Sequence, residues 1–337
     1  MKKILYIGNN LSKKSKYNST LDTLSHLLVS EGFELVISSD KQNKVFRLFD
    51  MCLTFFRNKK SIDILLIDTF STSNFYYVFL LSQLARHYKI PYIPILHGGN
   101  LPDRINNSPK ISRKIFDNSL INISPSNYLK FAFEKKGYKI KLIPNILEVE
   151  NYKFKKRIIF QPNLLWVRAF DKTYNPLMAI RVLYEVKKEF KGAKLCMIGP
   201  QKDTTLLLTQ KLIKELHLND SVEITGVLPK EEWNKKAEDY DIFINTTNFD
   251  NTPVSVIEAM ALGLPVVSTN VGGIPFLIDD KIHGRLVEKD NVGQMSKVII
   301  ELINSPEQTR VIVKNAREKV DEFDWKYIRN QWLDILK

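Results

Sequence analysis

The sequence contains little cysteine and no long apolar run. Its two cysteines, Cys52 and Cys196, stand far apart in 337 residues without metal-like spacing. This usage argues against a disulfide framework and fits a reducing compartment. The start, MKKILYIGNN, holds an apolar run of only five residues, too short for a signal peptide. The most apolar stretch elsewhere, at 75–85, is well under the roughly 20 residues that a membrane span needs. We therefore expect a cytoplasmic protein.

Acidic residues are scarce in the first half of the chain. Residues 1–160 hold 26 Lys and Arg against 12 Asp and Glu, whereas residues 161–337 hold 24 against 25. The whole net charge of +13 therefore belongs to the first half. A basic half can attract nucleic acid, anionic lipid or an anionic substrate, and charge alone does not choose among them.

Glycine-rich phosphate loops and metal-ligand clusters are also missing. No G-x-G-x-x-G and no G-x-x-x-x-G-K-[ST] occurs, which weakens a dinucleotide-binding or P-loop interpretation. Asp239 and Asp241 fall where a helix ends and a strand begins, and no other set of residues has metal-like spacing, so we expect no metal site. The lysine-rich loop at 8–18 either meets an anionic acceptor or stays solvated.

The chain does contain a regular alternation of strands and helices. Runs such as ILLI, within DILLIDTF, are typical of strands buried on both faces of a parallel sheet. The segment 143–157 is polar and basic and predicts a domain boundary, after which the alternation restarts with a strand at 158–167. We predict two doubly wound α/β domains, at 1–155 and 156–320, followed by a C-terminal helix at 321–337. Strand-end loops are the places to seek function.

FDNTPVSVIEAMALGLPVV, at 249–267, has features that helix stability alone does not require. Thr252 is a predicted N-cap, Pro253 a predicted first helical residue, and the following amides face an anion site at the positive end of the helix dipole. Asp250 precedes the cap, and Glu258 lies one turn deeper. Two carboxylates flanking a phosphate site suit a nucleotide-sugar. The alternative is an ordinary capped helix, although an unpaired buried glutamate is costly.

Residues 250–275, DNTPVSVIEAMALGLPVVSTNVGGIP, resemble the two-carboxylate motif of family-four retaining glycosyltransferases, which have the GT-B fold. The resemblance implies two tandem Rossmann-like domains with a cleft between them. It also implies that Asp250 binds donor-sugar hydroxyls, Glu258 binds the ribose, and intervening amides hold the diphosphate. The amides carried over are those of Asn251, Thr252, Pro253 and Val254. The family usually has Glu where this chain has Asp250, which implies a different sugar geometry.

The resemblance assigns further residues at strand ends. Arg168 and Lys172 would neutralise the donor diphosphate and stabilise the charge that develops on the leaving group. His97 would face the transferred sugar, while Gly98 and Gly99 would let the backbone approach the ligand. The plain alternatives are a solvated Arg-Lys pair and a histidine that bonds its own turn.

The segment KQNKVFRLFDMCLTFFRNKK, at 41–60, repeats apolar residues at helical spacing between basic residues. Such a helix either packs on its own sheet or lies against anionic headgroups at the inner face of the plasma membrane.

Together with these features, the resemblance implies a retaining, metal-independent hexosyltransferase. It would use a nucleoside-diphosphate sugar and no cofactor, and would extend a glycan or lipid-linked acceptor in cell-surface polysaccharide synthesis. Three alternatives stay open: a nucleotide-sugar 2-epimerase of the same fold, a sugar-nucleotide binder without catalysis, and a basic membrane- or nucleic-acid-binding protein. The last is disfavoured for nucleic acid, because the basic residues are spread over loops and helix flanks and no nucleic-acid motif occurs.

Overall fold

The computed structural model describes residues 2–8 and 20–337. Apart from Gly8, the lysine-rich loop at 8–18 lies outside the described residues. The chain forms two compact units, Met1–Ile146 with Trp325–Lys337, and Leu147–Asp324. The sequence-predicted boundaries, after 155 and after 320, fall nine residues later and four residues earlier than those of this division, and the C-terminal helix joins the first unit.

The first unit is built on a six-stranded parallel sheet in the order β2-β1-β3-β4-β5-β6. Its central strands are buried on both faces, as the apolar runs predict. Strands β5 and β6 have only three residues each, too few to leave a period in the sequence. The strands are β1 Lys3–Ile7, β2 Glu34–Ser38, β3 Ile64–Thr69, β4 Tyr92–Leu96, β5 Asn122–Ser124 and β6 Ile140–Leu142.

Helices cover both faces of this sheet. One face packs on α1 and on the C-terminal helix α14, which buries Ile328, Trp332 and Leu336 against strand residues such as Ile4. The other face packs on α2 through α6. The helices are α1 Thr20–Ser30, α2 Lys44–Asn58, α3 Asn74–His87, α4 Leu101–Asn107, α5 Pro109–Phe116, α6 Asn127–Glu134 and α14 Trp325–Leu336.

The second unit repeats the plan with another six-stranded parallel sheet, in the order β12-β11-β10-β7-β8-β9. The strand predicted at 158–167 begins only at Asn163, because Ile158 and Ile159 are exposed and Pro162 interrupts the run. The strands are β7 Asn163–Val167, β8 Lys194–Ile198, β9 Val222–Gly226, β10 Ile242–Asn245, β11 Val266–Thr269 and β12 Arg285–Val287.

Two apolar clusters fill the faces of the second sheet. One joins α7, α8 and α12 to the strands, and the other joins α9, α10 and α13. The helices are α7 Pro176–Glu189, α8 Thr205–Glu215, α9 Lys230–Lys236, α10 Val254–Ala261, α11 Ile274–Leu277, α12 Val292–Asn304 and α13 Pro306–Val320. Within the described part of the chain, no helix is both long and apolar enough to cross a membrane.

Candidate functional site

Each sheet reverses its strand order at one point, and polar residues follow the strands there. In the second unit the reversal lies between β7 and β10; Arg168 follows β7, and Asp250 lies in the loop after β10. In the first unit it lies between β1 and β3, where Gly8 follows β1 and Asp68 lies near the end of β3. Open α/β sheets bind ligands at such points, outside the carboxyl ends of the strands. Each unit therefore offers one candidate site.

Helix α10 begins one residue later than the sequence predicts. Pro253 is the N-cap, with extended backbone angles of φ −70° and ψ 113°, and no side chain caps the helix. The prediction that Thr252 caps the helix is wrong, because the extended proline separates Thr252 from the first helical residue, Val254. The predicted end is confirmed: Gly263 adopts φ +78° and donates its N–H to the carbonyl of Met260.

The first turn of α10 presents free amides. The N–H groups of Thr252, Val254 and Ser255 have no acceptor among the described residues. The other two residues predicted to offer amides do not offer a free N–H. Pro253 has none, and the N–H of Asn251 donates to Asp250 Oδ1 at 2.8 Å. Three unpaired amides at the positive end of a helix dipole form an anion site.

A glycine pair fixes the backbone of the loop before α10. The N–H of Gly273 donates to the carbonyl of Asp250 at 2.9 Å. A Cβ on Gly273 would lie 1.8 Å from the carbonyl oxygen of Asn251, and one on Gly272 would lie 2.2 Å from that of Asp250. These glycines therefore hold the loop by close backbone contact, which explains why the motif needs them.

Arg168 and Asp250, predicted to act on different parts of a ligand, form one ion pair. Arg168 Nη2 lies 2.7 Å from Asp250 Oδ2, and both side chains are mostly buried. The guanidinium also donates from Nε to Asn245 Oδ1 at 3.3 Å and lies over the ring of Tyr174. A Cβ on Gly199 would lie 1.8 Å from the carbonyl oxygen of Arg168, so this glycine lets β8 approach the arginine backbone. The two side chains neutralise each other's charge.

Lys172 is exposed in the loop after β7. Its backbone is anchored, because its N–H donates to Asp203 Oδ2 and its carbonyl accepts from Asn248 Nδ2. Its ammonium forms no ion pair within residues 2–8 and 20–337. The structure thus holds the Lys172 backbone in place and leaves its charge available.

Glu258 lies one turn into α10 and is buried, as predicted. Its Oε1 accepts a hydrogen bond from the hydroxyl of Tyr152 at 2.7 Å and lies 3.2 Å from Lys230 Nζ. Burial raises the pKa of the Glu258 carboxyl, while Lys230 and Tyr152 oppose the shift. No described residue donates to Oε2, which leaves this oxygen for hydroxyl groups of a ligand. The costly buried carboxylate is therefore only partly satisfied by the protein.

The carboxylate of Asp241, considered from sequence as a metal ligand, is structural. It forms an ion pair with Arg157 at 3.3 Å, and the Arg157 guanidinium also donates to the carbonyls of Leu262 and Gly263 behind α10. Nowhere in the described part of the chain do three His, Cys, Asp or Glu residues group as a metal site would require.

In the first unit, His97 follows β4 and is held by a carboxylate. Its Nε2 lies 2.8 Å from Asp68 Oδ1, which also accepts from the hydroxyl of Tyr6 at 2.9 Å. Phe70 stacks on the imidazole with ring centroids 5.2 Å apart. Gly98 adopts φ +89°, which lets the chain turn sharply after the histidine. His97 is thus oriented by a neighbouring strand rather than by its own turn.

Gly99 is the last of the sequence-predicted residues in this unit. It lies in the turn between β4 and α4 and is half-buried. In the first unit the structure places His97 against Asp68, with Gly98 and Gly99 in the turn that follows. In the second unit it brings Arg168 and Asp250 together at the loop that leads into α10.

Asp68, Tyr152 and Lys230 are among the residues with direct contacts at these sites that the sequence reasoning missed. Asp68 could have been found, because it follows the apolar run ILLI at a strand end, as Asp250 follows a strand. Tyr152 lies 106 residues from its partner Glu258, and no local pattern marks it. Lys230 begins α9 and looks like any exposed helix-terminal lysine.

Solved structures with the same architecture identify the fold. The chain superposes on sucrose-phosphate synthase from Thermosynechococcus elongatus with a TM-score of 0.82, at 15% identity over 99% of this chain and 98% of that one. HepE of Anabaena, solved with UDP and glucose, gives 0.79 at 15% identity over 100% and 99%. The fold is the predicted GT-B fold, two α/β units each on a parallel sheet.

The sequence places the chain within a family of that class. The family model for glycosyl transferases group 1 matches residues 149–319, just over half of the chain. The chain belongs to this family, which confirms the resemblance seen in the motif.

Curated relatives match the chain over part of their length. The amylovoran biosynthesis glycosyltransferase AmsK of Erwinia amylovora is 26% identical over 54% of this chain and 49% of its own. The putative colanic acid biosynthesis glycosyltransferase WcaL of Escherichia coli K12 is 31% identical over 37% of this chain and 33% of its own. The matched regions thus span half or less of these curated relatives.

Proposed function

We propose that this protein is a retaining hexosyltransferase that transfers a sugar from a nucleoside-diphosphate sugar to a glycan or lipid-linked acceptor in cell-surface polysaccharide synthesis. The observation that carries the proposal is the arrangement around α10. Three unpaired amides point to an anion site, Arg168 lies beside it, and buried Glu258 keeps one oxygen free. A diphosphate with hydroxyl-bearing groups on both sides matches these features.

In this proposal, separate residues bind the diphosphate, the ribose and the transferred sugar of the donor. The α10 amides, Arg168 and Lys172 bind the diphosphate and stabilise the negative charge that grows as the glycosidic bond breaks. Glu258 Oε2 accepts hydroxyls of the ribose. Asp250 accepts hydroxyls of the transferred sugar, for which its carboxylate must share or leave the ion pair with Arg168.

Two groups of relatives support the donor and the process. HepE, a structural neighbour, was solved with UDP, with UDP and glucose, and with UDP-glucose, so uridine nucleotides are the first donors to test. AmsK and WcaL act by name in amylovoran and colanic acid biosynthesis. We further propose that amides and cations, without a divalent metal or a cofactor, neutralise the diphosphate, and that the basic first half contacts an anionic membrane peripherally.

The test measures donor binding and then transfer. Calorimetric titration of the purified chain with a panel of nucleoside diphosphates and nucleotide-sugars should show micromolar to millimolar binding of one base. Glu258→Ala should weaken it by about tenfold or more, because a charged acceptor of ligand hydroxyls is lost. Glu215→Ala on α8, an exposed glutamate paired with Lys211, is the matched control and should bind as the parent does.

Three results would overturn the proposal. Failure of every nucleotide to bind at millimolar concentration contradicts the donor site. Turnover of a nucleotide-sugar to its 2-epimer without acceptor indicates an epimerase instead. Nucleotide binding with neither hydrolysis nor transfer over a glycan acceptor panel indicates a binder. Added EDTA should leave the transfer rate unchanged if no metal takes part.

A further inference from the structure

Helix α2 in the first unit turns aromatic side chains toward solvent. Val45, Phe46, Phe49 and Phe56 are 75%, 67%, 66% and 43% exposed. We call these four residues the α2 apolar face. They are among the positions whose spacing predicted the helix, and the structure leaves them outside the core. A cluster of large exposed apolar side chains on a soluble domain marks a binding surface.

The opposite side of α2 packs into the core of the first unit, and this packing leaves the α2 apolar face in solvent. Met51 and Phe55 are buried in the core of the first unit, on the face that also carries Arg47. The Arg47 guanidinium donates to the carbonyls of Lys41 and Gln42, at 2.7 and 3.1 Å, and is itself buried. A surface helix normally places its charged residues outside and its apolar residues inside. Here a charged residue is buried while three phenylalanines are exposed.

Cations surround the α2 apolar face. Residues 41–60 contain six Lys and Arg against the single acid Asp50, which accepts a hydrogen bond from Ser38. Lys44, Arg57 and Lys60 are exposed and form no ion pair within residues 2–8 and 20–337. The surface therefore combines an apolar ridge with uncompensated positive charge at both ends of the helix.

This combination matches an anionic lipid surface. A helix lying in the membrane interface places its apolar side chains at the acyl boundary and its cations among anionic headgroups. The side chains of the α2 apolar face contain no polar atom that would fix the orientation of a folded protein partner. A nucleic acid would satisfy the cations but would leave the phenylalanines in water.

We propose that α2 docks the protein on anionic bilayers by inserting Val45, Phe46, Phe49 and Phe56 below the headgroups, with Lys44, Arg57 and Lys60 bound to lipid phosphates. This inference deepens the proposed peripheral membrane contact and rests on it. It does not depend on the donor site, which is built from other residues in the second unit.

The test is co-sedimentation of the full chain with vesicles of phosphatidylglycerol and phosphatidylcholine, compared with vesicles of phosphatidylcholine alone. The parent should bind the anionic vesicles, and rising salt should weaken binding. The double variant Phe46→Ser/Phe49→Ser should bind at least about tenfold more weakly, because two aromatic side chains lose their apolar environment. Phe46→Leu/Phe49→Leu should retain most of the binding.

The matched control is Phe131→Ser. Phe131 is 64% exposed in the same unit, but α6 packs beside β5 and β6, at the opposite end of the sheet from β1 and β2, which α2 contacts. This variant should bind vesicles as the parent does. Replacing Lys44, Arg57 and Lys60 with Gln should remove the preference for anionic vesicles, with a loss of about threefold or more for each charge at low salt.

Several outcomes would overturn the inference. The parent could fail to bind anionic vesicles, or Phe46→Ser/Phe49→Ser could bind as Phe131→Ser does. A parent that dimerises in solution and loses the dimer in Phe46→Ser/Phe49→Ser would show that the α2 apolar face binds a second copy of the chain. Calorimetric titration of the same variants with the nucleotide-sugar keeps the two proposals apart, because their donor affinity should be unchanged.

Discussion

The two units place polar groups at the same topological point but with different electrostatics. In the second unit, Asp250 and Glu258 each have a cation beside them, and unpaired helix amides lie next to the ion pair. In the first unit, Asp68 accepts from the hydroxyl of Tyr6 and pairs with the imidazole of His97. The second site suits a ligand with a concentrated negative charge, whereas the first offers an oriented imidazole.

The glycines that support the two sites also differ in what lies against them. In the second unit, Gly273 faces the backbone of Asn251, while in the first a Cβ on Gly8 would meet the side-chain oxygen Asp68 Oδ2 at 2.3 Å. A side chain can move aside, but a backbone carbonyl cannot move without the loop. A side chain at position 273 is therefore harder to accommodate than one at position 8, and the backbone that carries the α10 amides depends on a glycine there.

The largest effect should follow from replacing Gly273. Gly273→Ala places its Cβ 1.8 Å from the carbonyl oxygen of Asn251, so the loop before α10 must shift. We expect the free energy of unfolding to fall by about 3 kcal/mol or more, and nucleotide binding to be lost. Denaturant unfolding followed by circular dichroism measures the change.

Gly293→Ala is the control for that variant. Gly293 lies in the first turn of α12, where the nearest atom to a new Cβ is 3.9 Å away. Its free energy of unfolding should stay within about 1 kcal/mol of the parent. Equal stability of the two variants would contradict the close backbone contact.

The next largest effect should come from Arg168. Arg168→Ala removes the cation beside the α10 amides and leaves Asp250 without its partner. We expect the transfer rate to fall by about 100-fold, since charge on the leaving diphosphate is no longer stabilised. Lys172→Ala, at an exposed position, should cost only a few-fold. Steady-state kinetics measure both, with Arg181→Ala on the exposed side of α7 as control. A smaller effect for Arg168→Ala than for Lys172→Ala would reverse the assigned roles.

A third variant tests whether the first unit contributes to chemistry rather than to donor affinity. Asp68→Asn keeps the shape of the side chain but removes the charge that orients His97. The donor dissociation constant should stay within about twofold of the parent, while the transfer rate falls by about tenfold. Calorimetry and kinetics separate the two quantities. A loss of donor affinity comparable to that expected for Glu258→Ala would remove the distinction between the units.

The fold and the α10 site were largely predictable from sequence, because both depend on local patterns. Apolar runs of four to six residues predicted most strands, and Pro253 and Gly263 predicted α10 to within one residue at its start. Strands of three residues, such as β5, leave no such pattern, and their position is set by the sheet they join. The prediction that Thr252 is the N-cap was wrong because a proline, here Pro253, can itself occupy the N-cap position.

Side-chain pairings and the direction of a helix face were not predictable. Tyr152 and Lys230 reach Glu258 from distant parts of the chain, so no spacing marks them. In α2 the period of apolar residues predicted a helix correctly. Apolar residues lie around most of the helix, however, so the pattern does not show which side faces the core. Only the structure shows that Met51 is buried and Phe49 is exposed.

The smallest predicted effect is a pH dependence that arises from Glu258. Burial raises the pKa of this carboxyl above its ordinary value of 4.5 in the folded protein. The folded chain therefore keeps a proton that the unfolded chain releases at lower pH. The resulting contribution to the free energy of unfolding is fully present below pH 4.5 and is lost as pH rises through the raised pKa.

Donor affinity should change with pH in the opposite direction. The ionised carboxylate accepts ribose hydroxyls with both lone pairs of Oε2, so affinity should fall as pH decreases through the same raised pKa, by about threefold per pH unit near the midpoint. A nucleotide-sugar is the proper probe, because its diphosphate diester does not titrate there. In Glu258→Gln both slopes should flatten, and unfolding and titration series that start below pH 4.5 and extend upward measure them. If the parent and Glu258→Gln show the same slopes, another group titrates and Glu258 does not hold the ribose.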